Sequence, residues 1–160
     1  MEEVLPPQTA DGTGFESTRI RQFTIFLENK VGRLQMLLRG IEESVGPIVA
    51  MSIEESADSA LVRLISSHPD ECREMIHKEG FSFTESELLA VELPKRNKHP
   101  LISICSALLA AEINIHYTYP LMLRPHGPAI AMYVDDPTLA ARLLIKKQFT
   151  LLGESDLRAI

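Results

Sequence analysis

The chain has no tryptophan, only three tyrosines and six phenylalanines among its 160 residues. So sparse an aromatic complement offers no platform on which nucleic-acid bases could stack. Cysteine is scarcer still. Cys72 and Cys105 form no metal-type pair and fit a reducing compartment. Basic residues are outnumbered, with 16 Lys+Arg against 22 Asp+Glu and a formal charge of −6. That balance argues against the broad basic face that phosphate backbones require. No apolar run approaches the roughly 18 uncharged residues of a membrane span. The first residues, Met1-Glu2-Glu3-Val4-Leu5-Pro6-Pro7, are acidic and proline-containing, the opposite of a signal peptide. These absences predict a cytoplasmic chain with no membrane and no nucleic-acid partner. What remains, 45% hydrophobic and 24% charged, is the balance of a globular protein.

Residues 1–19 lack periodicity and read as a disordered tail. Order is expected from about Arg21. Gln22 to Glu28 is β-rich and reads as a strand. Leu34, Leu37, Leu38, Ile41 and Val45 then mark one face of a helix, which Gly46-Pro47 stops. Ile48 to Glu54 and Ala60 to Ile65 read as strands around a turn at Ala57-Asp58-Ser59. Pro69 suits the first turn of a helix, with Ser67 as a possible cap and Cys72, Met75 and Ile76 on its core face. Gly80 ends it, and Phe81 to Glu85 reads as a fourth strand.

The pattern then recurs. Leu88 to Leu93 is a strand. Pro100 opens a helix with Leu101, Ile104, Cys105 and Leu108 on one face. Ile113 to Tyr119 and Ala129 to Val134 are strands. Asp136-Pro137 opens a helix that ends near Lys147, and Phe149 to Leu152 is a last strand. Leu34 aligns with Leu101, a shift of 67 residues, and Pro69 with Pro137, a shift of 68. So constant a shift indicates an internal duplication. The predicted fold is α+β: two tandem ferredoxin-like βαββαβ units packed on each other, residues 20–87 and 88–158. A unit this small buries only a modest core, which packing between copies would extend.

Four features could carry chemistry. The loop Glu28-Asn29-Lys30-Val31-Gly32-Arg33-Leu34 joins a strand to a helix. Free N–H groups at a helix start suit a carboxylate or phosphate, and Asn29 adds an amide. The same residues also make an ordinary turn. Asn114 sits where a strand begins, as a ligand-facing amide or a turn residue. Next to it, His116 and Tyr117 alternate faces without an evident acid–base partner. Pro94 to Pro100 occupies the second unit's equivalent of the glycine loop. It lacks glycine and carries three positive charges, as an anion patch or a solvated loop. The two cysteines fall on predicted core faces and read as structural. The five histidines show no metal spacing. No P-loop, HExxH or G-x-S-x-G is present, so neither catalysis nor a cofactor is expected.

Taken in order, the loop, the duplication and the Ile113-Asn114-Ile115 strand start resemble the tandem ACT-domain family. Its signature is a strand, a loop resembling N-R-P-G-x-L, a helix, and a G-I-N-I-like strand start. The resemblance covers about Arg21 to Leu157. It implies a non-enzymatic regulatory protein that binds a small ligand, most often an amino acid, at the interface between its two ACT domains. It assigns Asn29, Lys30, Val31, Gly32, Arg33 and Leu34 to one wall, and Asn114 and Ile115 to the other. It also implies a possible homodimer and a metabolic enzyme as partner. Val31 stands where the motif usually has proline, and Leu27 where some serine-binding members have a histidine. The second unit's loop departs further, so one site per chain is expected. These departures motivate an alternative: a regulatory or assembly subunit with a vestigial site, for example of acetolactate synthase. An acylphosphatase-like enzyme has only Arg33 and Asn29 as a faint echo.

Overall fold

The computed structural model describes residues 18–28 and 30–160. Most of the predicted tail, and Asn29, lie outside the described residues. Strand β1 (Arg19–Glu28) starts two residues earlier than the predicted onset of order, because Ile20 and Gln22 are buried. Its alternation sends Phe23, Ile25 and Leu27 to one face and Ile20 and Gln22 to the other.

Helix α1 (Arg33–Ser44), β2 (Ile48–Glu55), β3 (Ser59–Ser66) and α2 (Pro69–Lys78) follow as the apolar spacing dictates. Ser67 is not the cap of α2. His68 takes that position, while the Ser67 hydroxyl donates to the Pro47 carbonyl, 3.2 Å away.

The next two predicted strands are one. β4 (Ser82–Glu92) runs unbroken through Ser86-Glu87. Its residues 82–89 pair antiparallel with β1, and Leu89–Glu92 pair with a strand of the second half. It is thus the last strand of the first unit and the first strand of the second. Helix α3 (Pro100–Ala110), β5 (Ile115–Pro120), β6 (Ala129–Val134), α4 (Pro137–Lys146) and the short β7 (Leu151–Leu152) complete the second unit. A last short helix, α5 (Glu154–Arg158), carries acidic Glu154 and Asp156 in its first turn.

The strands run in the order β2-β3-β1-β4-β6-β5, with β7 beside the end of β4. The sheet's two outer strands are tied to each other. The N–H groups of Met122 and Leu123, just after β5, donate to the Val49 carbonyl on β2 at 2.8 and 3.1 Å. Side chains of both units therefore share one core on the face away from the helices. It includes Ile20, Val49, Ile65, Leu88, Ala131 and Leu152. Two further cores lie under the helices. One gathers Phe23, Leu37, Ile41, Leu64 and Ile76 under α1 and α2; the other gathers Leu89, Ile104, Leu108, Met132 and Leu144 under α3 and α4. The shared core is the extension that units of this size need.

Two expectations on α3 fail. Leu101 is 52% exposed, and Cys105 is exposed rather than buried. The helix PLISICSALLA contains no charged residue, so its sequence offers no polar side from which to read the buried one.

Candidate ligand-binding site

The glycine loop closes on itself. Lys30 N–H donates to the Glu28 carbonyl at 2.7 Å, and Arg33 N–H to the Lys30 carbonyl at 3.2 Å. Lys30 Nζ sits 2.7 Å from Glu28 Oε2 and holds that carboxyl below the usual range. Gly32 is the N-cap of α1, at φ 87° and ψ −10°. That left-handed conformation is strained for any residue with a Cβ, although the space around it is open. Among the described residues no side chain caps the helix, and its first turn holds no acid. With Arg33 N–H taken by the Lys30 carbonyl, the Leu34 and Gln35 N–H groups of α1 are left without a partner among the described residues, beside a helix-dipole positive end. Arg33 packs its guanidinium 4.7 Å above the Phe81 ring, and Val31 is fully exposed. Leu34 packs against the first unit's core and borders a shallow cleft of about 400 Å³ along α1. Leu27, only 3% exposed, faces the helix-side core, so its side chain serves packing.

The second predicted wall is built by a carboxylate. Glu112 turns the chain out of α3 at φ 57°. Asp135, just past β6, accepts from Asn114 N–H at 3.2 Å with one oxygen and contacts His116 Nε2 at 2.5 Å with the other. Asp135 N–H returns a bond to the Asn114 carbonyl at 3.2 Å. His116 is thus not without an acid–base partner. A pairing irregularity between Ile115 and Tyr117 swings it toward Asp135 and against Tyr133, ring centroids 5.3 Å apart. Tyr117 also has partners: its hydroxyl accepts from Gln22 Nε2 at 2.7 Å, and Arg63 lies 4.3 Å over its ring. Asp135 is the residue that sequence reasoning missed, and with it the partner of His116. Regular alternation along β5 gave no sign of the irregularity that brings the two together.

The two walls are not joined within a chain. The loop follows β1 and Asn114 precedes β5, with β4 and β6 between them in the sheet. At about 4.8 Å per strand, that is a lateral separation of about 14 Å. Among the described residues, no hydrogen bond, ion pair or ring contact links residues 30–34 to Asn114 or Ile115. The second unit's equivalent loop is differently organised. Asn97 Oδ1 accepts from His99 N–H at 2.9 Å, and its amide donates to Ser103 Oγ at 3.0 Å, so the Asn97 amide is satisfied within the loop and helix start. Among the described residues, no three His, Cys, Asp or Glu side chains group as a metal site, and no helix is long and apolar enough to cross a membrane.

Two fused ferredoxin-like units, a shared strand and an exposed glycine turn at a helix start define a tandem two-unit module. The family model for an ACT domain pair matches residues 18–160, and the chain belongs to that family. It is similar to the crystal structure of protein BT0572 from Bacteroides thetaiotaomicron, with 25% identity, a TM-score of 0.79, and coverage of 90% of this chain and 100% of that one. It also shares its fold with the ligand-free regulatory subunit of aspartate kinase from Thermus thermophilus, at 9% identity and a TM-score of 0.55 over 82% of this chain and 98% of that one. No curated protein matches it.

Proposed function

We propose that this protein is a non-catalytic regulator that binds a small zwitterionic metabolite, an amino acid or close analogue, at an interface between ACT units. The observation that carries this reading is the uncapped start of α1 at Gly32. Free N–H groups at a helix N-terminus suit an α-carboxylate. The Asn114 wall offers the opposite chemistry. Asp135 and the Asn114 amide would accept from an α-ammonium. Because β1 and β5 stand apart in one chain, the loop of one copy would meet the Asn114 wall of a second copy. Charge favours that pairing, with Arg33 on the loop and Glu112, Asp135 and Asp136 around the wall. A dimer of this kind would hold two equivalent sites.

A thermal-shift screen of the full chain against the twenty amino acids tests the reading. A ligand that binds only the folded state adds about 2.7 kcal/mol of stability at a hundredfold excess over Kd. One amino acid, or a few similar ones, should raise the midpoint. The shift should vanish in Asn114→Ala and in Gly32→Val. Unchanged shifts in both variants would move the site elsewhere. No shift with any amino acid would favour the second reading, a regulatory or assembly subunit with a vestigial site. Val31 in place of a loop proline is the observation on that side, since it leaves the loop less pre-set.

A further inference from the structure

Helix α3 carries no charge, has only Ser103 and Ser106 as polar side chains, and is only partly covered. Ile104 and Leu108 are buried, while Ile102 and Leu109 are 65% and 76% exposed. Helices of this composition are ordinarily enclosed. Between α3 and α4 runs a groove of about 600 Å³, with Ile102, Ala107, Leu143 and Phe149 as its apolar wall, Asn97, Ser103 and Ser106 as neutral polar groups, and Lys147 at one end. None of its lining residues is acidic. The Lys147 end is basic. Arg96 crosses to the Gln148 carbonyl at 3.0 Å, Arg96 and Lys98 flank the lining residue Asn97 with Lys95 one residue further, and Lys146 adjoins Lys147. In a chain of net charge −6, this concentration of cations beside an apolar groove is a local exception.

One segment of the same chain has the complementary chemistry. Residues 1–17 carry Glu2, Glu3, Asp11 and Glu16, no basic side chain, and apolar Val4, Leu5 and Phe15. The segment joins the fold at the right place. Arg19 hydrogen-bonds Thr138 at the start of α4. Thr138 and Lys147 stand at opposite ends of α4, so the tether enters at the end of the helix away from the cations. The eleven residues of α3 span about 16 Å, whereas seventeen residues reach up to about 56 Å. Glu2 and Glu3, far from the tether, can therefore reach the cations at the far end of the groove.

We propose that the α3–α4 groove is the docking site of the chain's own N-terminal segment, residues 1–17. A short tether holds a segment at about millimolar effective concentration. A contact with a Kd of about 0.1 mM would then keep the groove about nine-tenths covered. The contact shields α3 and would leave the groove open to competition by another acidic, apolar segment.

Hydrogen exchange of the α3 amides in the full chain tests this. Exchange over Ser103–Ala110 should run about tenfold slower in the wild type than in E2K/E3K, the occupancy just given. It should quicken in the wild type at roughly 1 M salt, where the screening length falls to about 3 Å. K146E/K147E should also expose α3, and joining it to E2K/E3K should restore protection. The tail variant touches no residue of the fold, so its result stands even if the α4 variant is unstable. Equal α3 exchange in wild type and E2K/E3K overturns the proposal. Protection that survives E2K/E3K and grows with protein concentration also overturns it, and assigns the face to a second copy.

Discussion

Cys72 lies on the core face of α2 with none of its surface exposed. Burial pushes its thiol from an ordinary 9.0 up to about 12, against a smaller downward pull from a Ser66 hydrogen bond. Burial also raises the Tyr119 hydroxyl, and the neighbouring Tyr117 adds to that rise. The sign of the consequence is fixed. Above pH 9 the unfolded chain releases a proton that the folded chain keeps, so stability is full below about 9 and falls as pH rises toward 12. At about pH 10.5 the Cys72 share of that loss is about 2 kcal/mol. Urea unfolding at pH 8 and at about pH 10.5 measures it. The wild type should lose more stability across that interval than Cys72→Ala. Equal losses would mean that the thiol plays no part.

At the scale of strands, the inner face of β1 sets a polar group inside an otherwise apolar core. Gln22 is fully buried. Its amide nitrogen donates to Ser86 Oγ at 3.0 Å and to Tyr117 Oη at 2.7 Å, and its oxygen accepts from Tyr119 Oη at 2.6 Å. Three strands from both units are pinned by one side chain. Tyr119→Phe removes a single bond and should cost about 1 kcal/mol, whereas Gln22→Leu strands three hydroxyls and should cost about 3 kcal/mol. Urea midpoints of the two single variants and the double should show coupling above about 0.5 kcal/mol. Strict additivity would deny that these bonds act as a network. Most elements were legible beforehand, because α1, β3 and α4 carry clean periods and turn residues bound them. β4 was not. Ser82, Thr84 and Ser86 share its inner face with Leu88 and Ala90, so its polar half read as an ending rather than as the open part of a longer strand. α5 is a single short turn with too few apolar positions to show a period. At the site, local spacing placed the glycine loop and Asn114 on their elements, but the Asp135 contacts depend on pairing between β5 and β6.

For the molecule as a whole, the repeat in the sequence suggests two bodies, while the connections describe one. β4 belongs to both halves, and Leu88 near its middle is fully buried in the shared core. Arg21 on β1 adds a second clasp. Its Nε and Nη2 reach the two Glu154 oxygens on α5 at 2.8 and 3.0 Å, and its Nη1 reaches Asp70 on α2 at 2.7 Å. The end of the second unit is thereby fixed to the first, and Asp70 is held below the usual carboxylate range by the Arg21 hydrogen bond. A unit of this size standing alone would be marginal, so neither half should persist once the other opens. The chain should unfold in one transition, with calorimetric and van't Hoff enthalpies in agreement. Leu88→Ala should lower stability by about 2–5 kcal/mol, the cost of emptying a fully buried leucine site. Amides of α2 report the first unit and those of α4 the second. Exchange under rising urea should show both opening at the same denaturant concentration, in wild type and in Leu88→Ala alike. If α4 opened ahead of α2, the shared strand would be a hinge between two independently stable domains, and the interior they enclose would be an interface rather than a core.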